Sequence, residues 1–291
     1  MACNRRLFLK SAGAAGLALA SAPVAAARLE DPKTPAVLVD TTRCIGCRGC
    51  EAACAEANGL PAPPDPPGDI FARRRETSTT AFSVVNRGRV GSKGDERYAK
   101  TQCLHCLSPG CASACPVRAL EKTPEGPVVY HADRCIGCRY CMVACPFGVP
   151  KYEYEKAVPY VRKCSFCYER QKRGLRPACV EACPAEALSF GPRDALLLEA
   201  KRRVFAENSG YVPHVFGEHE SGGTSWMYIS DVPLDSLGLR TDVSLTAPSE
   251  RTDGALSAVP VVMTLWPPLL MSLYAFAHQR ERRENEEDDH V

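Results

Sequence analysis

The sequence has almost no excess charge of either sign: 36 Lys and Arg stand against 34 Asp and Glu in 291 residues, a formal +2. Without a basic field nothing draws a polyanion onto the surface, so no nucleic acid partner is expected. The sequence also lacks the groups most catalysts need. It has no glycine loop of the nucleotide-binding kind, no flavin or molybdenum fingerprint, and no Cys/His or Ser/His set left over for catalysis. The chain is therefore not read as an enzyme by itself. The residue type in excess is cysteine.

Sixteen of the 17 cysteines fall into four quartets: Cys44, Cys47, Cys50 and Cys54; Cys103, Cys106, Cys111 and Cys115; Cys135, Cys138, Cys141 and Cys145; Cys164, Cys167, Cys179 and Cys183. Only Cys3 stands apart. A disulfide framework is the plain reading for an exported chain, but three cysteines spaced C-x2-C-x2-C compete for the same partners. Structural zinc uses separated C-x2-C pairs, four ligands per ion and no following proline. Here the second and third quartets read C-L-H-C-x4-C-x3-C-P and C-I-G-C-R-Y-C-x3-C-P, closing on Pro116 and Pro146. Thiolates three residues apart on a loop converge on one face of a cubane, and the fourth Cys, followed by Pro, hands its sulfur to a different cluster. Every quartet is complete, so four 4Fe-4S clusters are expected and no three-iron cluster.

The crossing rule assigns ligands. The second and third quartets, close in sequence, pair as Cys103, Cys106 and Cys111 with Cys145, and Cys135, Cys138 and Cys141 with Cys115. The first and fourth then pair around them, as Cys44, Cys47 and Cys50 with Cys183, and Cys164, Cys167 and Cys179 with Cys54. Ala55, not Pro, follows Cys54, a departure from the other three motifs that a helical continuation can absorb. The expected fold is α+β and loop-rich: two interleaved bacterial two-cluster ferredoxin-like modules, plus one C-terminal transmembrane helix. The cluster domain spans residues 28–205, with an inner module over 96–156 and an outer one over 36–62 with 160–192.

Local patterns fill in the frame. Ala36 to Asp40, Thr80 to Asn86 and Ala187 to Phe190 read as strands, and Glu51 to Asn58 as a brief helix stopped by Gly59 and Pro61. A hairpin is expected between Ala119 and Ala132, turning at Pro124 to Pro127, and a helix over Asp194 to Glu207. Residues 60–69 are a proline-rich surface connection, and 206–253, rich in Gly, Ser and Pro, an extension. His105 and the arginines at 43, 48, 118, 134 and 139 flank cysteines. Positive charge there would raise a cluster's potential, although each is individually read as a surface residue. The basic insertion of Arg170, Lys172, Arg173 and Arg176 reads as a solvated face, with a docking surface for an acidic partner as the alternative.

Both ends of the chain carry address signals. Asn4-Arg5-Arg6-Leu7-Phe8-Leu9-Lys10, an Ala-rich run and Pro23-Val24-Ala25-Ala26-Ala27 form a basic, apolar and small-residue series, the order of a signal peptide over residues 1–27. Its removal, with Arg5, Arg6, Lys10 and no acid, takes the formal charge from +2 to −1. The R-R-x-F-L-K core resembles the twin-arginine export signal, which suits a protein that folds around its cofactors before crossing. Residues 254–277 carry no charge. At about 1.5 Å per residue they span a hydrocarbon layer of roughly 30 Å with some tilt, so a transmembrane helix over 254–279 is expected. Arg280, Arg282 and Arg283 then place a tail of residues 280–291 in the cytoplasm and the cysteine domain in the periplasm.

These features together resemble the HybA-type electron-transfer subunits of uptake hydrogenase complexes. The resemblance includes Val149-Pro150-Lys151-Tyr152, Ser221-Gly222-Gly223-Thr224 and Val232-Pro233. The four-motif pattern by itself is shared with the iron–sulfur subunits of formate dehydrogenase and of dimethyl sulfoxide, nitrite and polysulfide reductases. The resemblance implies a relay, in which electrons from a periplasmic nickel-iron hydrogenase, with its small and large subunits, pass through four 4Fe-4S clusters to an integral membrane quinone reductase. The same relay in a formate dehydrogenase or another molybdopterin complex is the competing reading. A free-standing oxidoreductase and a colourless zinc scaffold are the readings from other classes.

Because receptor recognition of the paired arginines is more specific than charge, changing Arg5 and Arg6 to Lys should trap the protein in the cytoplasm. Cell fractionation checks this, and undiminished periplasmic protein would contradict it.

Overall fold

The sheet that organises the chain grows from Pro35–Asp40 (β1), the apolar run that precedes the first quartet. In the computed structural model, which describes residues 33–65, 68–90 and 95–288, β1 is flanked by Leu188–Pro192 (β8) on one side and Trp226–Ile229 (β9) on the other. The first pairing is antiparallel and the second parallel. The twin-arginine stretch, Cys3 and the last three residues lie outside the described residues. All of β9, and Ala36 to Val39 of β1, are buried. Both faces of the sheet are covered, which is why β1 is a continuous apolar run rather than an alternation. Ala36, Leu38, Met227 and Ile229 pack beneath Ala200 and Val204 of the helix Arg193–Val204. On the opposite face Val37, Val39, Trp226 and Tyr228 pack with Leu104, Phe166 and Cys179, so the cysteine loops are layered onto that side.

Around the sheet stand three antiparallel hairpins. Ser83–Val90 (β2) pairs with Asp95–Gln102 (β3), Leu120–Lys122 (β4) with Val128–Tyr130 (β5), and Lys151–Tyr152 (β6) with Val161–Arg162 (β7). The β4–β5 turn is closed by Thr123 N–H on Pro127 O at 2.9 Å, where Pro and Gly marked it in the sequence. Five short helices begin at or inside the quartets: Gly49–Ala57 (α1), Gly110–Ser113 (α2), Tyr140–Val143 (α3), Tyr168–Gln171 (α4) and Ala178–Glu181 (α5). Arg193–Val204 is α6. α1 packs on α5 and α2 on α3, which brings the first quartet beside the fourth and the second beside the third.

α1 is anchored at its first turn by the buried Glu51. Its carboxylate accepts from Arg75 Nη2 at 2.5 Å, from Arg48 Nε at 3.2 Å and from the backbone N–H of Val85 at 2.5 Å. Saturation by two cations and an amide is what makes a buried carboxylate tolerable. The segment 206–253, read from composition as an extension, instead contributes β9 and the fully buried Trp226 and Tyr228 up to residue 249. A four-residue strand among glycines and serines carries too little periodicity to be seen in a sequence window.

Pro248–Asp288 (α7) is a separate continuous helix that begins six residues before the uncharged stretch. By length and composition, residues 248–279 suffice to cross a membrane. Val261, Leu265, Leu269 and Leu273 are more than half exposed. Pro260, Pro267 and Pro268 lie inside the helix, and Thr264 Oγ1 bonds back to Pro260 O at 2.8 Å. Ser272 does the same to Pro268, so both hydroxyls are satisfied within the helix, as an apolar medium requires.

Truncation of Leu38 to Ala removes a filled position between β1 and α6 and should cost about 2–5 kcal/mol. Leu198→Ala, on the solvent side of α6, should stay within about 0.5 kcal/mol of wild type. Thermal unfolding of the anaerobically purified protein checks the contrast, and equal midpoints would contradict the packing.

Candidate metal centres

The C-x2-C-x2-C loops need backbone turns that most residues avoid. In the first, Gly46 and Arg48 take φ of 70° and 59°; in the third, Gly137 and Arg139 take 71° and 62°. These are left-handed conformations, and the glycines are further held by close approach. A β-carbon on Gly46 would fall 2.6 Å from the Tyr98 ring, and one on Gly137 would fall 2.8 Å from Tyr152 Oη. The first and third loops therefore share sequence, C-I-G-C-R, and conformation. The second and fourth form another like pair: His105 (φ 47°) and Phe166 (φ 57°), each directly before the second cysteine of its motif, stack with centroids 5.0 Å apart.

All sixteen motif thiols are free. Cys44, Cys47, Cys50 and Cys183 line one cavity, with Val39, Val85 and Lys100. Cys115, Cys135, Cys138 and Cys141 line another, with Tyr130 and Ile136. The other two groups show in their electrostatics. Burial and then the thiols of Cys103, Cys145 and Cys111 push the Cys106 thiol well above its ordinary value. Burial raises Cys179 to about 11, with Cys167 and Cys54 adding to it. Burial likewise raises Cys164, with Cys54 the largest of its thiol neighbours. Among the described residues no three His, Cys, Asp or Glu side chains stand together as ligands to a single metal ion. The thiols instead surround spaces.

The groups also have an order. Cys50, raised to about 12, feels Cys179 after burial and Lys100, which sets the Cys44 group beside the Cys164 group. Cys54, Cys103 and Cys164 pack in one cluster with Cys145 against it, setting the Cys164 group beside the Cys103 group. Cys111 and Cys141 pack together with Cys115 and Cys135, setting the Cys103 group beside the Cys135 group. The two end groups reach the surface through Cys47 and Cys138, both exposed, beside Ile45 and Ile136 at 62% and 65% exposure. Cys54, Cys164, Cys179, Cys103 and Cys111 of the middle groups are buried.

What surrounds the thiols fits an anionic, acceptor-rich group. Lys100 and Lys163 are buried, and among the described residues neither has a carboxylate in ion-pair contact. Lys163 Nζ donates to the carbonyls of Val128 at 2.5 Å and Cys164 at 2.9 Å. His105, expected at the surface, is fully buried. Its Nδ1 accepts from Val128 N–H at 3.0 Å, so the proton lies on Nε2, which has no partner. Burial, then Lys163, Lys122 and Lys100, hold the ring well below its usual range and therefore neutral. Trp226 Nε1 is also buried and unpartnered. Buried cations and donors without acceptors are costly unless something negative lies among them. Sulfur-ligated iron clusters supply that charge, and the crowded thiols must lose their protons to ligate iron.

Lys100 and Lys163 were not singled out by sequence, since an isolated lysine reads as a surface residue. The arginines behave more as expected. Arg134 is half exposed against Glu121, and Arg43 faces Glu186. Arg48, by contrast, is mostly buried and bonds Glu51. In the basic insertion Arg170 pairs with Glu181 and Lys172 with Glu169.

Comparison with known proteins agrees with this chemistry. Residues 95–193, which hold the last three quartets, match the family described as a 4Fe-4S dicluster domain. The chain is 37% identical to the hydrogenase-2 operon protein HybA of Escherichia coli O157:H7, over 87% of this chain and 89% of that one. It is 30% identical to the iron-sulfur subunit of nitrate-inducible formate dehydrogenase of Escherichia coli K12, over 88% and 90%. The B subunit of anaerobic dimethyl sulfoxide reductase of the same strain is 40% identical over 54% of this protein and 73% of its own length. The chain belongs to this family of ferredoxin-type iron–sulfur electron-transfer subunits, to which HybA also belongs.

Proposed function

We propose that the protein relays electrons through four 4Fe-4S clusters from a periplasmic catalytic subunit to an integral membrane quinone reductase, and that it performs no chemistry of its own. The observation that carries this reading is the order of the thiol groups, in which each end group has one exposed cysteine, Cys47 or Cys138, and the two between them have none. Each bound cluster would supply one-electron exchange. The thiols of Cys44, Cys47, Cys50 and Cys183 would hold the first, Cys54, Cys164, Cys167 and Cys179 the second, Cys103, Cys106, Cys111 and Cys145 the third, and Cys115, Cys135, Cys138 and Cys141 the fourth. On this reading the quartets form two interleaved ferredoxin-like modules. Packing of α1 on α5 and of α2 on α3 supports it.

The protein's own work is to set the sequence of sites and to keep water from the middle two. Phe166, His105 and Val149 wall the interior groups, while Ile45 and Ile136 present apolar surface at the two ends, where partner subunits would dock. Nickel-iron hydrogenase is the donor best supported, since HybA is 37% identical and the formate dehydrogenase subunit 30% identical over similar shares of their lengths. The twin-arginine stretch supports export by that route, and α7 supports a single-pass C-terminal anchor with the cluster domain on the periplasmic face. Deletion of residues 254–291 should then release that domain into the soluble periplasmic fraction.

Three experiments test the reading. Anaerobically purified protein should carry close to sixteen irons with matching acid-labile sulfide, about four per cluster. Cys183→Ala should alter the cluster of Cys44, Cys47 and Cys50 and spare that of Cys164. An altered Cys164 cluster would show the crossed assignment to be wrong. Deleting the gene should abolish quinone-linked hydrogen oxidation by membranes while the catalytic subunit still reduces an artificial dye. Loss of both activities would point to assembly or catalysis, and retention of both to another route for the electrons.

A further inference from the structure

Lys100 is the most deeply buried cation among the described residues, with 2% of its surface exposed. It sits on β3 opposite Val85 of β2 and lines the cavity of Cys44, Cys47, Cys50 and Cys183. The thiols that act on it most strongly are Cys179, Cys50, Cys54 and Cys164. It also lies over the ring of Trp226, which packs in one cluster with Cys179, so its ammonium stands at the junction of the first and second thiol groups. Among the described residues no carboxylate pairs with it. The Nζ donates to Gln102 Oε1 at 2.8 Å and lies 4.6 Å from the centroid of the Trp226 ring. Both contacts are neutral. Glu51, the buried acid on this side, is already committed to Arg75, Arg48 and the Val85 amide.

The surroundings hold the ammonium in place rather than merely tolerate it. Gln102 is oriented by its own Nε2, which donates to Tyr228 Oη at 2.8 Å, and Tyr228 in turn donates to the Lys100 carbonyl at 2.9 Å. This closed ring of contacts fixes the acceptor that fixes the lysine.

We infer that Lys100 is a fixed positive charge shared by the first two clusters of the relay, raising the reduction potential of both and leaving the other two unaffected. The inference rests on the four-cluster reading above. A cluster gains one negative charge when reduced, and an ammonium at short range in a low-dielectric interior favours that state. One charge placed between two sites lifts both together, which keeps the step between them near level while setting both apart from the pair further along. On this inference Lys100 is a positioning residue for charge.

The test is an EPR-monitored redox titration of the complex purified anaerobically from membranes. Signals are assigned beforehand with Cys183→Ala and Cys54→Ala, which mark the first and second clusters. Lys100→Met, similar in length and neutral, should lower the reduction equilibrium constant of these two clusters about tenfold, or 59 mV for a one-electron couple. The other two should not move, and Lys100→Arg should restore most of the shift. Gln102→Glu, which sets a carboxylate against the ammonium, should move the same two signals the same way with lysine still present. If Lys100→Met fails to load iron, Gln102→Glu decides alone. Unchanged potentials, a uniform shift of all four, or a shift confined to the other two would overturn the inference. Wild-type protein without iron and sulfide would instead overturn the cluster reading itself.

Discussion

Burying sulfur in quantity imposes a charge problem, and much of the fold can be read as its solution. Sixteen thiols sit in or near the interior of a chain of modest length, and burial raises most of those with a resolved shift. Once they ligate iron the interior holds several negative groups that water cannot solvate. Lysines 100 and 163, the neutral His105 with its unpartnered Nε2, and the indole of Trp226 are distributed among the thiols as counter-charge and donors. In an ordinary core each would be a defect. Here they make the interior depend on the groups it holds, which ties folding to metal binding.

The sheet serves this arrangement by offering two different faces. Ala36 and Leu38 meet the helix α6 as hydrocarbon against hydrocarbon, whereas Val37, Val39, Trp226 and Tyr228 form the wall against which the sulfur-bearing loops are set. Tyr228 belongs to both worlds, since its hydroxyl reaches Gln102 and the Lys100 carbonyl. The late segment carrying β9 is therefore not an ornament on the cluster domain. Its fully buried residues complete the core beside the thiols.

The likeness of the first and third loops, and of the second and fourth, gives the chain an internal symmetry with a physical use. The C-I-G-C-R loops, with their left-handed glycines, turn an exposed cysteine and an isoleucine outward at either end of the series. The loops carrying His105 and Phe166 turn inward and stack on each other at its centre. A series with apolar, accessible ends and a more buried middle suits conduction between two partners better than reaction with a dissolved substrate.

Much of this was legible in the sequence because cysteine spacing is a local code. Two residues between successive thiols mark a loop, and a following proline ends it, before any fold is known. β1, the β4–β5 hairpin, α6 and the apolar C-terminal helix were equally local, each carried by a run of apolar residues or a turn signal. The order of the thiol groups was not legible, because it depends on which loops stack across the sheet. Neither was the burial of Lys100, Lys163 and His105, since a lone polar residue in a sequence gives no sign of what will surround it. Only the tertiary structure placed β9 beside β1 and closed the interior over those charges. Local spacing marked which cysteines are candidate ligands, and long-range packing decided where each of them stands and what charge it faces.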